Sequence, residues 1–173
     1  MHPFQDGNGR IGRLFIPLYL IDNKLLAKPS LYLSAYLERN RVAYFDALTR
    51  TRVSNDLRGW CEFFLQAVYE TADNGKRTFE RILNLTQEMN NIIPTLGRRA
   101  HNANLLVQRL YKIPTVTIPE VEAFLNMDQM TATRLVKTLQ SVHILQETTE
   151  SKRNRTYAFK RYLDLFHDPK NVP

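Results

Sequence analysis

Residues 2–13 read HPFQDGNGRIGR, and residues 14–26 continue as LFIPLYLIDNKLL. The second stretch is too densely apolar for a half-exposed strand. It predicts a buried helix that begins near Asn8–Arg10 and ends around Asn23. A Gly-Asn-Gly step directly before a helix places backbone N–H groups where the chain can fold into an anion-binding nest. The positive end of the helix dipole then faces the bound anion. Arg10 and Arg13 stand three residues apart and share a face of the first turns, so they can clamp phosphate oxygens through charge-assisted hydrogen bonds. Asp6, beside such a site, suits a hard Mg²⁺ ion shared with the phosphates. His2 can act as a general base near neutral pH. Pro3 stiffens the loop, and Phe4 is expected to anchor it in the core. The set as a whole reads as a nucleotide-phosphate site with its own base and metal ligand.

Outward from this loop the chain stays helical. Lys28-Pro29 breaks the pattern, and Ser30 is placed to cap a helix over roughly Leu31–Asn40, with another over about Arg41–Arg50. Residues 57–91 form one long helix or two joined ones. There Trp60, Phe63, Phe64, Ala67 and Val68 make a helical-period apolar stripe, continued by Phe79, Ile82, Leu83 and Leu85. This stripe reads as core packing. Cys61, the single cysteine, reads as a small buried hydrophobe; with no disulfide available, a reducing cytoplasm is the expected compartment.

The grammar changes at residues 92–100, IIPTLGRRA, where Pro94 and Gly97 interrupt the helix. Residues 102–114 predict a short amphipathic helix. Residues 115–126 predict a second, with Pro119 in its first turn. Residues 127–145 predict a third, whose inward face is Met130, Leu135, Val136, Leu139 and Val142. Ile144-Leu145 and Tyr157-Ala158-Phe159 then read as two strands joined by a basic turn, before a last short helix over Arg161–Phe166. Three helices and a β-hairpin in this order describe a winged helix-turn-helix. The expected fold is therefore mainly α: a helical domain over 1–93, then a winged helix-turn-helix domain over 94–173 with a small β-hairpin.

Hydrophobic residues make up 43% of the chain and charged residues 24%, an ordinary balance for a globular protein. No apolar run approaches the roughly 20 residues of a membrane span, and the first residues have no apolar core of a secretory signal. The net charge of +7 is uneven: residues 98–173 hold 12 Lys+Arg against 7 Asp+Glu, and residues 1–97 hold 12 against 10. A basic C-terminal half points to an anionic partner. Thr131, Thr133, Arg134, Lys137, Thr138 and Gln140 face outward on the third helix, suited to phosphates and base edges in a major groove. Lys152, Arg153 and Arg155 form a basic wing. The same module serves equally as a protein-binding or homodimer surface. Arg98 and Arg99 read as solvated linker charges. His101, His143 and His167 have no metal-ligand spacing.

The opening motif carries a family resemblance. HPFQDGNGRIGR matches without gaps the signature HPFx(D/E)GNGRxxR of the Fic proteins (filamentation induced by cAMP). RLFIPLYLIDNKLL and LYLSAYLERNRVAYFDAL resemble the helices that follow it in bacterial members. GRRAHNANLL and KRNRTYAFKRYLDLF resemble the winged-helix extension many of them carry. What the resemblance implies is a protein adenylyltransferase, moving AMP from ATP to a Ser, Thr or Tyr hydroxyl of a target protein. It implies His2 as the base that deprotonates that hydroxyl and Asp6 as the Mg²⁺ ligand. It makes Gly7, Asn8 and Gly9 the anion hole, with Asn8 also on the α-phosphate. It assigns Arg10 and Arg13 to the β- and γ-phosphates. Relatives acting as kinases have Lys where this chain has Gly9, so nucleotidyl transfer is the implied chemistry. The resemblance covers the C-terminal half of a typical member, without the helices that form the opposite wall and the target-aligning flap. These 173 residues contain no (S/T)xxxE(G/N) inhibitory motif. Transfer by this chain alone is accordingly expected to be weak or absent. The alternative is a non-catalytic remnant acting through its winged helix as a DNA- or protein-binding module.

Overall fold

Residues 4–149 and 155–166 are described by the computed structural model. They are mainly helical, with a small three-stranded antiparallel sheet. The chain divides into two compact units, Met1–Arg77 and Thr78–Pro173, the division falling inside a helix. The sequence pattern breaks later, at Pro94 and Gly97. No helix among the described residues is long and apolar enough to cross a membrane.

The first unit holds α1 (Asn8–Asp22), α2 (Leu33–Arg39), α3 (Arg41–Ser54) and the start of α4 (Leu57–Ile92). Residues 57–91 thus lie in one continuous helix. Tyr32, not Ser30, stands at the N-cap of α2; the Ser30 hydroxyl instead donates to the Lys28 carbonyl at 3.3 Å. Asn55 in a left-handed conformation ends α3, and the Asp56 carboxylate accepts the Gly59 N–H at 2.8 Å to start α4. Leu33, Tyr36 and Leu37 of α2 pack on Ala67 of α4, with Ile16, Tyr44, Phe63, Phe64 and Val68 half-buried around them. The stripe read from the sequence is therefore the packing face of α4 in this unit.

Three burial expectations are corrected here. α1 forms over the expected residues, but no residue of it is buried, and Leu14, Phe15, Leu18 and Tyr19 are exposed. Ile16 is the α1 side chain that reaches the small core. Phe4 is 53% exposed and anchors nothing in that core. Cys61 is exposed: it follows Trp60 by about 100° of helical rotation and so leaves the stripe of Trp60, Phe63, Phe64 and Ala67.

The second unit has a larger core. It contains the end of α4, then α5 (Ala100–Leu110), β1 (Thr115–Thr117), α6 (Ile118–Leu125), α7 (Gln129–Ser141), β2 (Gln146–Glu147), β3 (Thr156–Ala158) and α8 (Lys160–Leu163). Leu85, Met89 and Ile93 pack with Leu106 and Leu110 of α5, Val121 of α6 and Leu135, Val136 and Leu139 of α7. Thr117 and Glu120 form a capping box that opens α6, with Pro119 in its first turn. The Asp128 carboxylate caps α7 by accepting the Thr131 N–H at 3.0 Å. The Thr131 hydroxyl and N–H hydrogen bonds hold that carboxyl below its ordinary range.

The strands differ from the expectation. Ile144 and Leu145 are buried core residues just ahead of β2 rather than a strand. Phe159 is fully buried and lies just past β3. β1 was not anticipated: it pairs with β3 in the register Val116 to Tyr157, giving the order β1-β3-β2. A three-residue Thr-Val-Thr segment next to Pro119 is too short to show an alternation. Met130, assigned inward, is 63% exposed, and Ala132 takes the interior position instead. Phe79 and Leu83 of α4 are likewise exposed. The terminal helix starts at Lys160 and tightens to a 3₁₀ turn over Asp164–Phe166.

Gly97 sets the path into α5. Its φ of 59° with ψ of −125° is a conformation other residues adopt only under strain. No atom lies within 4 Å of the position a β-carbon would take, so a substitution there meets backbone strain and no clash. Gly97→Ala is expected to lower stability by about 1–3 kcal/mol, read as a shift in the urea midpoint.

Candidate functional site

The opening loop turns on Gly7, which is left-handed (φ 80°, ψ 2°) at the N-cap of α1. Its carbonyl accepts the Arg10 and Ile11 N–H groups at 2.9 and 3.0 Å, starting the helix. No side chain caps α1. The first N–H groups of a helix have no intrahelical acceptor, so those of Asn8 and Gly9 open the helix end toward an anion.

Asn8 has a more specific part than its position alone suggests. Its Oδ1 accepts the Phe4 N–H at 3.1 Å, and its Nδ2 donates to the Phe4 carbonyl at 2.7 Å. The carboxamide thus closes the loop in both directions and leaves the backbone N–H for a ligand. Asp6 is exposed, and its Oδ1 accepts the Gly7 N–H at 2.6 Å.

The two arginines are brought together but are not equivalent. The Arg13 guanidinium lies over Gly9, where a β-carbon would stand 3.6 Å from its Nη1. Arg10 and Arg13 both border a hollow of about 440 Å³ beside Pro17 and Tyr32. Arg13 alone borders two more: one of about 380 Å³ lined by Tyr44, Trp60 and Phe64, and one of about 270 Å³ beside Glu38 and Arg41. The aromatic hollow was not anticipated, although its signal was present in the stripe read as packing. His2 lies outside the described residues.

Among the described residues no three His, Cys, Asp or Glu side chains gather to hold a metal. A single carboxylate next to an open helix end fits Mg²⁺, which keeps several waters and takes the rest of its oxygens from bound phosphates. Asp6 is the residue that would hold it.

On the second unit, Arg134 and Lys137 are exposed on α7, which has no acidic residue between Gln129 and Ser141. Thr131 and Thr133 lie on the same helix, but their hydroxyls donate to its own first turn, to Asp128 Oδ2 at 2.6 Å and to the Gln129 carbonyl at 2.7 Å. Arg155 is paired with Glu147 at 3.3 Å, and Lys152 and Arg153 lie outside the described residues. Arg99 is exposed in the connection between α4 and α5, as expected of a linker charge, and its Nη1 also donates to Thr138 Oγ1 of α7 at 2.9 Å. No family model matches the chain.

Proposed function

We propose that the chain carries the nucleotide-phosphate half of an adenylyltransferase site of the Fic type, transferring AMP from ATP to a Ser, Thr or Tyr hydroxyl of a target protein. The observation that carries this reading is the uncapped N-terminus of α1 behind left-handed Gly7, with Arg10 and Arg13 on the first turns of the same helix and lining one hollow. In this reading the backbone N–H groups of Asn8 and Gly9 bind the α-phosphate, and Asn8 keeps the loop closed. Arg10 and Arg13 neutralise the β- and γ-phosphates and so stabilise the departing pyrophosphate. His2 takes the proton of the attacking hydroxyl as its oxygen bonds to the α-phosphorus and the bond to the bridging oxygen breaks. Bound Mg²⁺, held by Asp6, would supply further neutralisation of the phosphate charge.

The test separates nucleotidyl from phosphoryl transfer. With acceptor protein and Mg²⁺, ATP labelled at the α-phosphate should label the acceptor, and ATP labelled at the γ-phosphate should not. The label should disappear in His2→Ala. Labelling from the γ-position, or labelling that survives His2→Ala, overturns the assignment.

A second reading is favoured by a separate observation: the exposed cations of α7 have no carboxylate partner among the described residues. In that reading the second unit binds duplex DNA through α7 as a winged helix.

A further inference from the structure

We infer that Arg99 is a preset phosphate clamp beside α7, forming with Arg134 and Lys137 a cationic stripe for the backbone of duplex DNA. This inference rests on the DNA reading of the second unit. Arg99 stands at the N-cap of α5, yet its side chain reaches 39 residues along the chain to the Thr138 hydroxyl. That hydroxyl in turn donates to the Arg134 carbonyl at 2.8 Å. The relay fixes the Arg99 guanidinium against the helix turn that carries Arg134 and Lys137.

The partner that holds Arg99 decides its use. Several other arginines are met by carboxylates: Arg58 by Glu62, Arg77 by Asp73, Arg155 by Glu147 and Arg161 by Glu88. Arg99 is met by a neutral hydroxyl, which orients the guanidinium without cancelling its charge. A guanidinium has five N–H donors, and one bond to Thr138 leaves a fork suited to phosphate oxygens. Because the side chain is already oriented, less rotamer freedom is lost on binding.

Charge and shape together select the occupant. A polyanion with regularly spaced charges matches a stripe of like-charged, unpaired side chains. A helix fits the major groove of B-DNA, whereas that of A-form RNA is too deep and narrow to be read. Arg99 comes from an element flanking α7, so it would meet phosphate rather than base edges. It would then position the protein without specifying sequence.

The test is a salt titration of duplex binding by the whole chain, using 20-base-pair duplexes of unrelated sequence. Arg99→Gln should weaken binding by about 5–10-fold at 0.1 M salt and make the negative slope of log K against log salt shallower by about 0.9, as for one lost phosphate contact. The loss should be similar for each duplex. Thr138→Val, which frees Arg99 but keeps its charge, should give a smaller loss. Arg58→Gln, an arginine of the first unit already paired with Glu62, should change little. Circular dichroism and the urea midpoint check that each variant is folded.

If the duplexes bind and Arg134→Gln weakens them, but Arg99→Gln leaves affinity and slope at wild-type values, the clamp is overturned and the DNA reading stands. If no duplex gives a salt-sensitive complex, both fall. Binding of poly-glutamate in preference to the duplexes would overturn the occupant as well.

Discussion

Replacing Phe159 by alanine is expected to cost the second unit about 3–5 kcal/mol, against a total domain stability on the order of 5–15 kcal/mol. Phe159 has no exposed surface. Its N–H donates to the Pro114 carbonyl at 2.8 Å, tying the end of β3 to the start of β1. Its ring meets Tyr111 edge-on at 5.7 Å and stacks on Tyr162 at 5.8 Å. Truncation removes the transfer free energy of the ring and leaves a cavity among side chains held by two helices and a sheet, so collapse into the space is limited. Amide exchange in α5 and α7 checks this: protection there should fall by roughly 100-fold or more. Phe79, on α4 of the same unit, is 61% exposed, and Phe79→Ala should stay within about 0.5 kcal/mol. Equal losses in the two variants would show that the core has been drawn in the wrong place.

That contrast marks what periodicity can and cannot say. The helices were legible, less so their bounds: α1 ends near Asn23 as expected, whereas α5 spans Ala100–Leu110 where 102–114 was expected, and α6 begins at Ile118 after residues 115–117 form β1. Which face each helix buries was legible where the pattern was one-sided, as at Leu135, Val136 and Leu139. It was misread where apolar residues circle the helix, as in α1, because density alone does not say whether a neighbour covers Leu14, Phe15 and Leu18. Met130 and Phe79 failed similarly: each continues a local spacing, but its position on the helix falls outside the surface a neighbouring element covers. Strand β1 was invisible because pairing with β3, forty residues away, creates it, and Thr-Val-Thr has no periodicity to show.

The candidate site divides along the same line. The start of α1 behind Gly7, with Arg10 and Arg13 on its first turns, was legible because these residues lie within seven positions and a helix end organises them locally. The closing bonds of the Asn8 carboxamide to Phe4 follow from loop shape, which residue types do not encode. The contact of Arg99 with Thr138 joins two elements through tertiary packing, and no local pattern announces it. In both cases the residue was visible and its partner was not.

Arg13→Ala is expected to weaken ATP·Mg²⁺ binding by about 10- to 100-fold, the worth of a charge-assisted hydrogen bond of roughly 1.5–3 kcal/mol. The prediction follows from the unequal placement of the two arginines. Arg13 folds back over Gly9 toward the open helix end and borders all three hollows, whereas Arg10 borders one. A phosphate at the N-terminus of α1 would therefore meet Arg13 first. Arg10→Ala should cause the smaller loss, and the double variant should lose less than the product of the two if both arginines grip one phosphate chain. Adenosine, which lacks phosphate, should bind wild type and Arg13→Ala equally. Arg52→Gln, an exposed change on α3, controls for net charge. Calorimetric titration of ATP·Mg²⁺, ADP·Mg²⁺ and adenosine reads each of these. A wild-type chain that binds none of the three would leave α1 a helix with an open end and no ligand, and the function would pass to the second unit. An Arg13→Ala loss that is the same for adenosine as for ATP would mean that Arg13 shapes the hollow and does not hold phosphate.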